Sequence, residues 1–305
     1  MLAIVIPYYK IRFFEATLLS LALQTDKRFK VYIGNDASED YPTVLLEKYQ
    51  NQINFEYKYY DTNLGYVSLT QQWERCLSQV QGEEWVLLLG DDDVLDANCV
   101  ASFYENLDKI LKNEIHVVRF ATVVIDQNDL PLSGLYKHPE LELSTDFLMR
   151  KFRGGTRSSL SEFIFKTSVL KEVGFKNFPL AWCSDILAVL EVSNFGLIYT
   201  INEAVVSFRW SGDNITSRND NLVLKNEGSF AFYHYLIKEK SAFFNENEIT
   251  TLQNQLEKTF LDNKKSLRFW RLFTILYFSH FYIKSYFLFI CKTMKMVIKK
   301  LYIKA

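Results

Sequence analysis

The segment EEWVLLLGDDDVLD, residues 83–96, joins an apolar run to three consecutive aspartates, Asp91, Asp92 and Asp93. Adjacent carboxylates repel one another and resist leaving water, so packing alone does not explain their place after a strand-like run. Such a cluster forms either a solvated turn or a site for a divalent cation, and its oxygens suit Mg²⁺ or Mn²⁺. With a cation bound, the cluster would attract a diphosphate and offset the negative charge on a departing phosphate.

The elements that must position these aspartates alternate along the first 125 residues. The apolar runs LAIVIP, KVYIGN, FEYKYY, WVLLLG and IHVVRFAT predict strands. The segments GYVSLTQQWERCLSQV and ANCVASFYENLDKIL repeat apolar residues at helical spacing. This alternation predicts an α/β fold with a mostly parallel central sheet flanked by helices.

Three of the predicted strands end in residues that could bind a ligand. The first continues into PYYK, the second into GNDASED and the fourth into Asp91–Asp93. In open parallel sheets, ligands bind beyond the carboxyl ends of the strands. We therefore expect these segments to meet at one edge of the sheet and to form a binding site there.

Charge divides the chain into an acidic body and a basic tail. The 305 residues carry a net charge of -1, but the segment after Asp262 has ten basic and no acidic residues. The first 262 residues hold the remaining 25 basic and all 36 acidic groups. A split of this kind suggests that the tail meets an anionic surface.

Four widely spaced cysteines and the opening MLAIVIPYYK indicate a reducing compartment. The cysteines form no CxxC pair, which disfavours a disulfide framework or a thiolate zinc site. The opening lacks a basic leader and meets Pro7 after a very short apolar run, so it does not predict a signal peptide. Together these features predict a cytoplasmic protein.

These segments together resemble the inverting family-2 glycosyltransferases, which use nucleotide-sugars and adopt the GT-A fold. VIPYYK resembles that family's first strand and nucleotide-contacting turn, and LLSLALQT its helix ending in Gln-Thr. YIGNDASED stands where the family has an Asp-Asp-Gly-Ser-x-Asp segment, NLGY matches its Asn-x-Gly, and LLLGDDDVL resembles its Asp-x-Asp metal motif. The matches occur in family order, which makes the set far more specific than any one of them.

The resemblance implies a donor site along the sheet edge. Pro7 and Tyr9 would lie along the nucleotide, and Asp36 would accept hydrogen bonds from its base or ribose. Asn63 and Gly65 would shape the floor near the nucleoside. A UDP-sugar is favoured, because Asp36 is compatible with uracil.

The resemblance also implies a metal site. Asp93 would be the main ligand of Mg²⁺ or Mn²⁺, Asp91 a weaker one, and Asp92 would approach the ribose or donor sugar. Gly90 occupies the position of the first aspartate of the motif. Asn35 and Ala37 likewise replace an Asp and a Gly of the family's second motif.

Ordinary structural roles remain open for the same residues. Asp36 and Ser38 would both suit a turn, because these side chains bond to nearby backbone. Asn63 and Gly65 would suit a loop that needs positive φ.

A candidate base lies in GFKNFPLAWCSDILAVLEV, residues 174–192, which resembles the family's Gly-x-Phe stretch and the acidic pair that opens a helix. Ser184 stands in for the first acid, which leaves Asp185 to remove the proton of the acceptor hydroxyl. Either residue would also be a good N-cap. A helix amino end weakens a carboxylate as a base unless burial compensates.

FRWSGDNITS, residues 208–217, lies where such enzymes place a mobile loop over the donor. Arg209 would meet the diphosphate, for which a guanidinium is suited, or would pair with a surface acid. Processive synthases of the family carry Gln-x-x-Arg-Trp near here, but Val206 stands in place of the glutamine. A single-addition transferase fits better.

The tail mixes aromatic and basic residues. The stretch Phe273 to Ile290 is long enough to span a membrane, but His280 and Lys284 near its middle make a span costly. A helix lying in the interface, with basic residues toward anionic headgroups, fits better, and a helix docked on protein is the alternative. Single-stranded nucleic acid also suits such a pattern, but no recognition motif accompanies it, so we predict no nucleic-acid partner.

The sequence therefore predicts three regions: residues 1–125 bind the nucleotide-sugar, residues 126–225 hold the acceptor and the base, and residues 226–305 form a helical, membrane-associated extension. The predicted function is inverting transfer of a sugar to a glycan or lipid-linked acceptor in bacterial surface polysaccharide synthesis. We expect the enzyme at the inner face of the cell membrane. A catalytically inactive scaffold that binds nucleotide-sugars and a nucleotidyltransferase of similar fold are the alternatives.

Overall fold

A computed structural model describes residues 1–264, 266–281, 286–291, 293 and 294. The chain forms two compact units, Met1–Asn221 and Leu222–Ala305. The strands of the first unit, in chain order, are β1 (Leu2–Tyr8), β2 (Phe29–Asp36), β3 (Phe55–Tyr60), β4 (Trp85–Leu88), β5 (Val94–Leu95), β6 (Val117–Ile125), β7 (Leu141–Leu143), β8 (Phe163–Lys166) and β9 (Leu197–Arg209).

These strands form one sheet in the order β3-β2-β1-β4-β8-β6-β9-β5, and β7 pairs with β9. The pairs among β3, β2, β1 and β4 are parallel, as is β6 with β9. The strand β8 runs antiparallel to both of its neighbours, and the pairings of β5 and β7 with β9 are antiparallel too. The predicted α/β class is confirmed, and the second half of the sheet is mixed.

Helices cover both faces of the sheet. Those of the first unit are α1 (Phe14–Ala22), α2 (Thr43–Tyr49), α3 (Leu64–Val67), α4 (Leu69–Leu77), α5 (Cys99–Lys112), α6 (Ser144–Phe152), α7 (Thr167–Val173) and α8 (Ser184–Val192). Alternate residues of β1 explain the two layers: Ile4 and Ile6 join the core under α1, α2 and α5, whereas Ala3 and Val5 join the core under α4, α6, α7 and α8.

One segment that the sequence predicts as a single helix forms two helices, α3 and α4. The segment GYVSLTQQWERCLSQV breaks at Ser68, whose backbone is extended and whose hydroxyl accepts the Gln71 amide at 3.4 Å. Asn63 caps the short helix α3 in the same way, because its side chain accepts the Tyr66 amide at 2.8 Å. Side-chain caps compete with continuous helix, which is why the apolar spacing alone did not reveal the break.

The second unit consists of α9 (Leu222–Lys240), α10 (Glu246–Asp262) and α11 (Leu267–His280), and residues 286–291 are also helical. The inner face of α11 is aromatic: Phe273 stacks on Phe260 of α10 with ring centroids 4.2 Å apart. The hydroxyl of Tyr277, also in α11, donates a hydrogen bond to Glu257 of α10. The described part of the chain has no helix long and apolar enough to cross a membrane. Lys284 of the predicted interfacial stretch and residues 295–305 lie outside the described residues.

Candidate active site

The carboxyl ends of three strands meet at one edge of the sheet, as the sequence predicted. In the parallel register Tyr8 of β1 lies opposite Asn35 of β2, and Val5 lies opposite Leu88 of β4. The turn after β1 is tied to the aspartate cluster, because Asp91 Oδ2 accepts the backbone N–H groups of Tyr9 and Lys10 at 2.8 and 2.7 Å.

Within this edge, Pro7 is half-buried in β1, and the side chain of Tyr9 is 44% exposed. The backbone of Tyr9 also reaches the turn after β2, because its carbonyl accepts the Ser38 hydroxyl at 2.6 Å. The adjacent Tyr8 is buried and donates its hydroxyl to the Asp40 carbonyl at 2.7 Å. Tyr9 is therefore the aromatic side chain of PYYK that a ligand could reach.

Asp36 holds the NLGY loop. Its two carboxylate oxygens accept the amides of Leu64 and Gly65 at 2.7 and 2.8 Å, and Arg75 donates to it at 2.5 Å. Burial raises the pKa of Asp36, although these donors act against that shift. The residue is 4% exposed, and its carboxylate is already bonded within the protein. A hydrogen bond to a nucleoside would therefore add to these contacts or replace one of them.

Gly65 is required by close approach and not by backbone conformation. It is absent from the positive-φ residues, but a Cβ atom at this position would lie 2.5 Å from Asp36 Oδ2. Ala37, which stands where the family has glycine, adopts a φ of 55° and so takes the left-handed conformation that glycine favours.

Asp93 is an internal anchor. It is 2% exposed; its Oδ1 accepts the Arg209 amide at 2.8 Å, and its Oδ2 accepts the Ser161 hydroxyl at 2.5 Å. Its backbone carbonyl accepts the Thr17 hydroxyl at 2.8 Å. Gly90 completes this arrangement by donating its amide to Ser161 Oγ at 3.0 Å. Asp93 thus joins β4, β9 and the loop before β8.

Arg209 is buried as well, with 1% of the residue exposed. Its Nε donates to the Asp92 carbonyl at 2.8 Å, and its Nη1 donates to the Asp126 carbonyl at 2.9 Å. Nη2 forms an ion pair with Asp129 at 2.6 Å. The predicted contact of Arg209 with a diphosphate would require some of these bonds to break. In this structure the buried guanidinium stabilises the aspartate turn by bonding to the backbone of Asp92.

The remaining carboxylate of the cluster, that of Asp92, accepts a hydrogen bond from Ser211. The pKa of Asp92 is raised to about 7 by burial and by the neighbouring Asp93, and the pKa of Asp91 is raised to about 7 by burial and by Asp92. Three acidic groups so close together, with no lysine or arginine ion-paired to them within the described residues, leave negative charge that a cation would offset.

The cluster fits a divalent cation held through few protein ligands. No three Asp, Glu, His or Cys side chains of the described residues are arranged as a ready metal site. Magnesium and manganese sites often need one or two carboxylates and take further oxygens from substrate phosphates. Asp92 suits that task best, because both oxygens of Asp93 and one of Asp91 already accept hydrogen bonds within the protein.

Asp185 lies in the first turn of α8. The N-cap is Cys183, and the Ser184 hydroxyl bonds to the Lys176 carbonyl at 2.6 Å, so neither predicted capping side chain occupies the cap position. Burial raises the pKa of Asp185, against the effects of the Ile186 amide and of the positive charges of Lys151 and Arg157. Burial therefore outweighs the helix amino end, as a general base requires.

The segment before Asp185 stores backbone strain. Leu180, Ala181 and Cys183 have φ values of 59°, 52° and 69°, and none of them is glycine. Such conformations cost free energy and gather at functional sites. Trp182 lies among them and is half-buried. The strain makes this segment a candidate for a second part of the site.

Arg157 and Ser161 are site residues that the sequence reasoning missed. Ser161 bonds to Asp93, and the charge of Arg157 lowers the pKa of both Asp93 and Asp185. A signal was present: Ser159 and Glu162 have the Ser-x-x-Glu spacing of a capping box, which the structure contains. That spacing could have shown that the residues after Gly155 form an ordered turn.

Comparison with solved structures shows the same fold in Staphylococcus aureus (S. aureus) TarS. The crystal structure of TarS 1-349 in complex with UDP-GlcNAc has 17% identity and a TM-score of 0.63, with 85% of this chain and 71% of that chain covered. The crystal structure of TarS 1-349 in complex with UDP has 19% sequence identity and a TM-score of 0.60, with 88% of this chain and 72% of that chain covered. A further crystal structure of S. aureus TarS has 20% sequence identity and a TM-score of 0.61, with 85% of this chain and 43% of that chain covered.

No curated protein matches this sequence. The family described as glycosyl transferase family 2 matches residues 3–165, more than half of the chain, from β1 through most of β8. The matched range includes the donor-side residues predicted from the sequence up to Asp93, and it ends before Asp185. With the sheet order above and the fold shared with TarS, this match confirms the predicted family: the chain is a glycosyltransferase that belongs to glycosyl transferase family 2 and has a GT-A type fold.

Proposed function

We propose that this protein transfers a sugar from a UDP-sugar to a hydroxyl of a glycan or lipid-linked acceptor, with inversion at the anomeric carbon and with the help of Mg²⁺ or Mn²⁺. The observation that carries the proposal is the single sheet edge at which Asp91 accepts the Tyr9 amide and the Tyr9 carbonyl accepts the Ser38 hydroxyl, two residues after Asp36 at the end of β2. TarS, which shares the fold, has been crystallised with UDP-GlcNAc and with UDP, and this supports a uridine donor.

In the proposed site, Pro7 and Tyr9 line the nucleotide, and Asp36 shapes the nucleoside floor through Asn63 and Gly65. Asp92 would hold the cation, with Asp91 as a neighbouring carboxylate, and Asp93 would support this turn through its bonds to Ser161 and Arg209. Asp93 as a direct ligand stays a prediction. The cation would supply positive charge to the departing diphosphate.

Asp185 acts on the other side of the reacting carbon. Its carboxylate removes the proton of the acceptor hydroxyl as the oxygen bonds to the anomeric carbon and the bond to the diphosphate breaks. A raised pKa makes the carboxylate a better proton acceptor than an exposed aspartate. Residues 126–225, which contain the strained turn before α8, would hold the acceptor.

A donor screen tests this proposal. We expect UDP-sugars with Mn²⁺ or Mg²⁺ to raise the Tm of the protein more than GDP- or dTDP-sugars do, because Asp36 and its loop suit uracil. EDTA should abolish most of the gain. A UDP-sugar effect that persists at full strength in EDTA would refute the cation bridge, and no effect from any UDP-sugar would refute the donor.

We also propose that the second unit binds the anionic inner face of the cell membrane, where a lipid-linked acceptor of surface polysaccharide synthesis would be found. The inner face of α11 is covered by packing within the unit, but its outer face is not. Leu267, Ile275 and Phe278 are 85%, 52% and 52% exposed, and Arg268 and Arg271 are exposed between them. Exposed apolar and basic residues on one helix face are typical of interfacial binding.

Charge reversal on this face should release the protein from liposomes. We expect Arg268→Glu with Arg271→Glu to weaken sedimentation with phosphatidylserine liposomes by about tenfold or more, since each basic residue near such a surface contributes about 1 kcal/mol. The exposed Lys258→Glu on α10 is the matched control and should bind normally. Equal binding by the double variant and the wild type would contradict the proposal.

A further inference from the structure

A diphosphate needs positive charge, and the arginine predicted to supply it is occupied. Arg209 bonds to the backbone of Asp92 and Asp126 and pairs with Asp129. Lys10 and Arg12 near the same edge reach Asp213 instead. A further cation close to the reacting groups therefore has to be sought outside the motifs of the first hundred positions.

Arg157 lies in the loop between α6 and β8. Its guanidinium packs over the Phe208 ring at 4.2 Å, and Phe208 precedes Arg209 in β9. Nη1 is 3.4 Å from both Ser159 Oγ and Glu162 Oε2, which is long for a hydrogen bond. Within the described residues Nε and Nη2 have no hydrogen-bond partner, and the side chain is 16% exposed.

The charge of Arg157 acts on two groups of the proposed mechanism, one on each side of the reacting carbon. The electrostatic effect of Arg157 reaches Asp93 in the cation cluster and Asp185 at the start of α8. The bond between the anomeric carbon and the diphosphate must break between these two groups. A cation within reach of both is placed to meet the oxygens of the leaving group.

The support behind Arg157 leaves its charge only partly neutralised. Glu162 is fully buried, and the positive charges of both Arg157 and Arg119 act on it. Arg119 is itself fully buried and bonds to Glu142 and Thr200 at 2.8 and 2.9 Å. Within the described residues, three buried atoms of this pair have no hydrogen-bond partner: Glu162 Oε1, Arg119 Nε and Arg119 Nη1. The ion pair with Glu162, 3.4 Å long, keeps Arg157 in place and leaves its Nε and Nη2 available for a ligand.

We propose that Arg157 binds the donor diphosphate at its β-phosphate and that Glu162 is the positioning residue that holds its guanidinium. This inference rests on the proposed UDP-sugar donor. A guanidinium offers paired N–H donors that match phosphate oxygens, and the free Nε and Nη2 are the two donors of one such fork.

The test compares uridine, UMP and UDP, each titrated by calorimetry with Mn²⁺ into wild type and variants. We expect Arg157→Ala to weaken UDP about ten- to hundredfold and to leave uridine and UMP within about twofold. Arg157→Lys should lose less than the alanine variant, and guanidinium ion added at millimolar concentration should restore part of the UDP affinity to Arg157→Ala. Arg153→Ala, an exposed arginine of the same loop, is the control and should bind like wild type.

The outcomes separate this inference from the proposed function. If wild type binds UDP but Arg157→Ala loses affinity for all three ligands equally, or for none, the β-phosphate assignment is wrong. If wild type binds none of the three, the uridine donor itself is wrong and the inference falls with it. Should the alanine variant fail to fold, the same ligand series on Arg157→Lys decides, with a loss confined to UDP as the supporting result.

Discussion

Asp185→Asn is expected to lower the turnover of sugar transfer by about 10²–10⁴-fold, the usual contribution of a general base. Donor affinity should stay within about twofold, because the proposed role of Asp185 is on the acceptor side of the reacting carbon. Product formation under saturating donor and a calorimetric titration of UDP measure the two quantities. Glu172→Gln on the exposed face of α7 is the matched control and should keep wild-type turnover.

The same variant should not lose stability. The pKa of Asp185 is raised in the folded protein, so its ionised form opposes folding, and stability falls as pH rises from the unfolded pKa through the folded one. The nearby charges of Lys151 and Arg157 reduce this penalty without removing it. At pH 8 the Tm of Asp185→Asn should equal or exceed that of wild type. A variant with full turnover would contradict the assignment of Asp185 as the base. A wild type that binds UDP but transfers no sugar to any acceptor tried would favour the inactive scaffold.

The second large expected effect distinguishes the role of Asp92 in cation binding from the structural role of Asp93. Asp92→Asn should remove the gain in UDP affinity that Mn²⁺ provides, a loss of about a hundredfold or more, since even outer-shell partners of metal ligands contribute about 10–100-fold. Its stability should change little, because Ser211 is the one side chain that donates a hydrogen bond to the Asp92 carboxylate within the described residues, and asparagine can still accept that bond. UDP titrations with and without Mn²⁺ measure the effect.

Asp93→Ala should act on stability first. It leaves the Arg209 amide and the Ser161 hydroxyl without their acceptor, at about 1–3 kcal/mol for each buried group. Urea unfolding should show this loss, whereas Asp92→Asn should unfold like wild type. The reverse pattern, in which Asp93→Ala keeps its stability and loses the Mn²⁺ effect while Asp92→Asn keeps it, would show that Asp93 is the ligand.

Most of the first half of the sheet was predictable because β1, β2 and β4 are buried on both faces and therefore appear as largely apolar runs. Their order also places the polar strand ends together, since parallel neighbours share one edge. The direction of β8 was not predictable in the same way. Its run FIFK is short, and four apolar-rich residues do not reveal whether the strand pairs parallel or antiparallel.

The individual site roles depend on contacts between residues far apart in the chain. Asp93 and Arg209 are 116 positions apart, and the antiparallel pairing of β5 with β9, in which Val94 lies opposite Ser207, brings them together. A sequence pattern shows that an arginine follows an apolar strand but not that its guanidinium turns inward. Asp36 gave a similar result: the prediction placed it at the correct edge, while its bonds to the NLGY loop and Arg75 appear only in three dimensions.

Several non-glycine residues adopt positive φ values that their intrinsic backbone preferences disfavour. Ala37 stands in place of a glycine, and three non-glycine residues before α8 are left-handed. Propensity would place such residues elsewhere, and the packing of both segments against the site holds them there. Sites of this kind are where a sequence and its local structure disagree.

The most direct measurement is an anomalous difference map from crystals soaked with UDP and Mn²⁺. We expect one manganese peak within coordination distance of an Asp92 carboxylate oxygen and of both UDP phosphates, with the uracil beside the turn of Asp36. A nucleotide bound away from this sheet edge, or bound here with no manganese between Asp92 and the phosphates, would contradict the account.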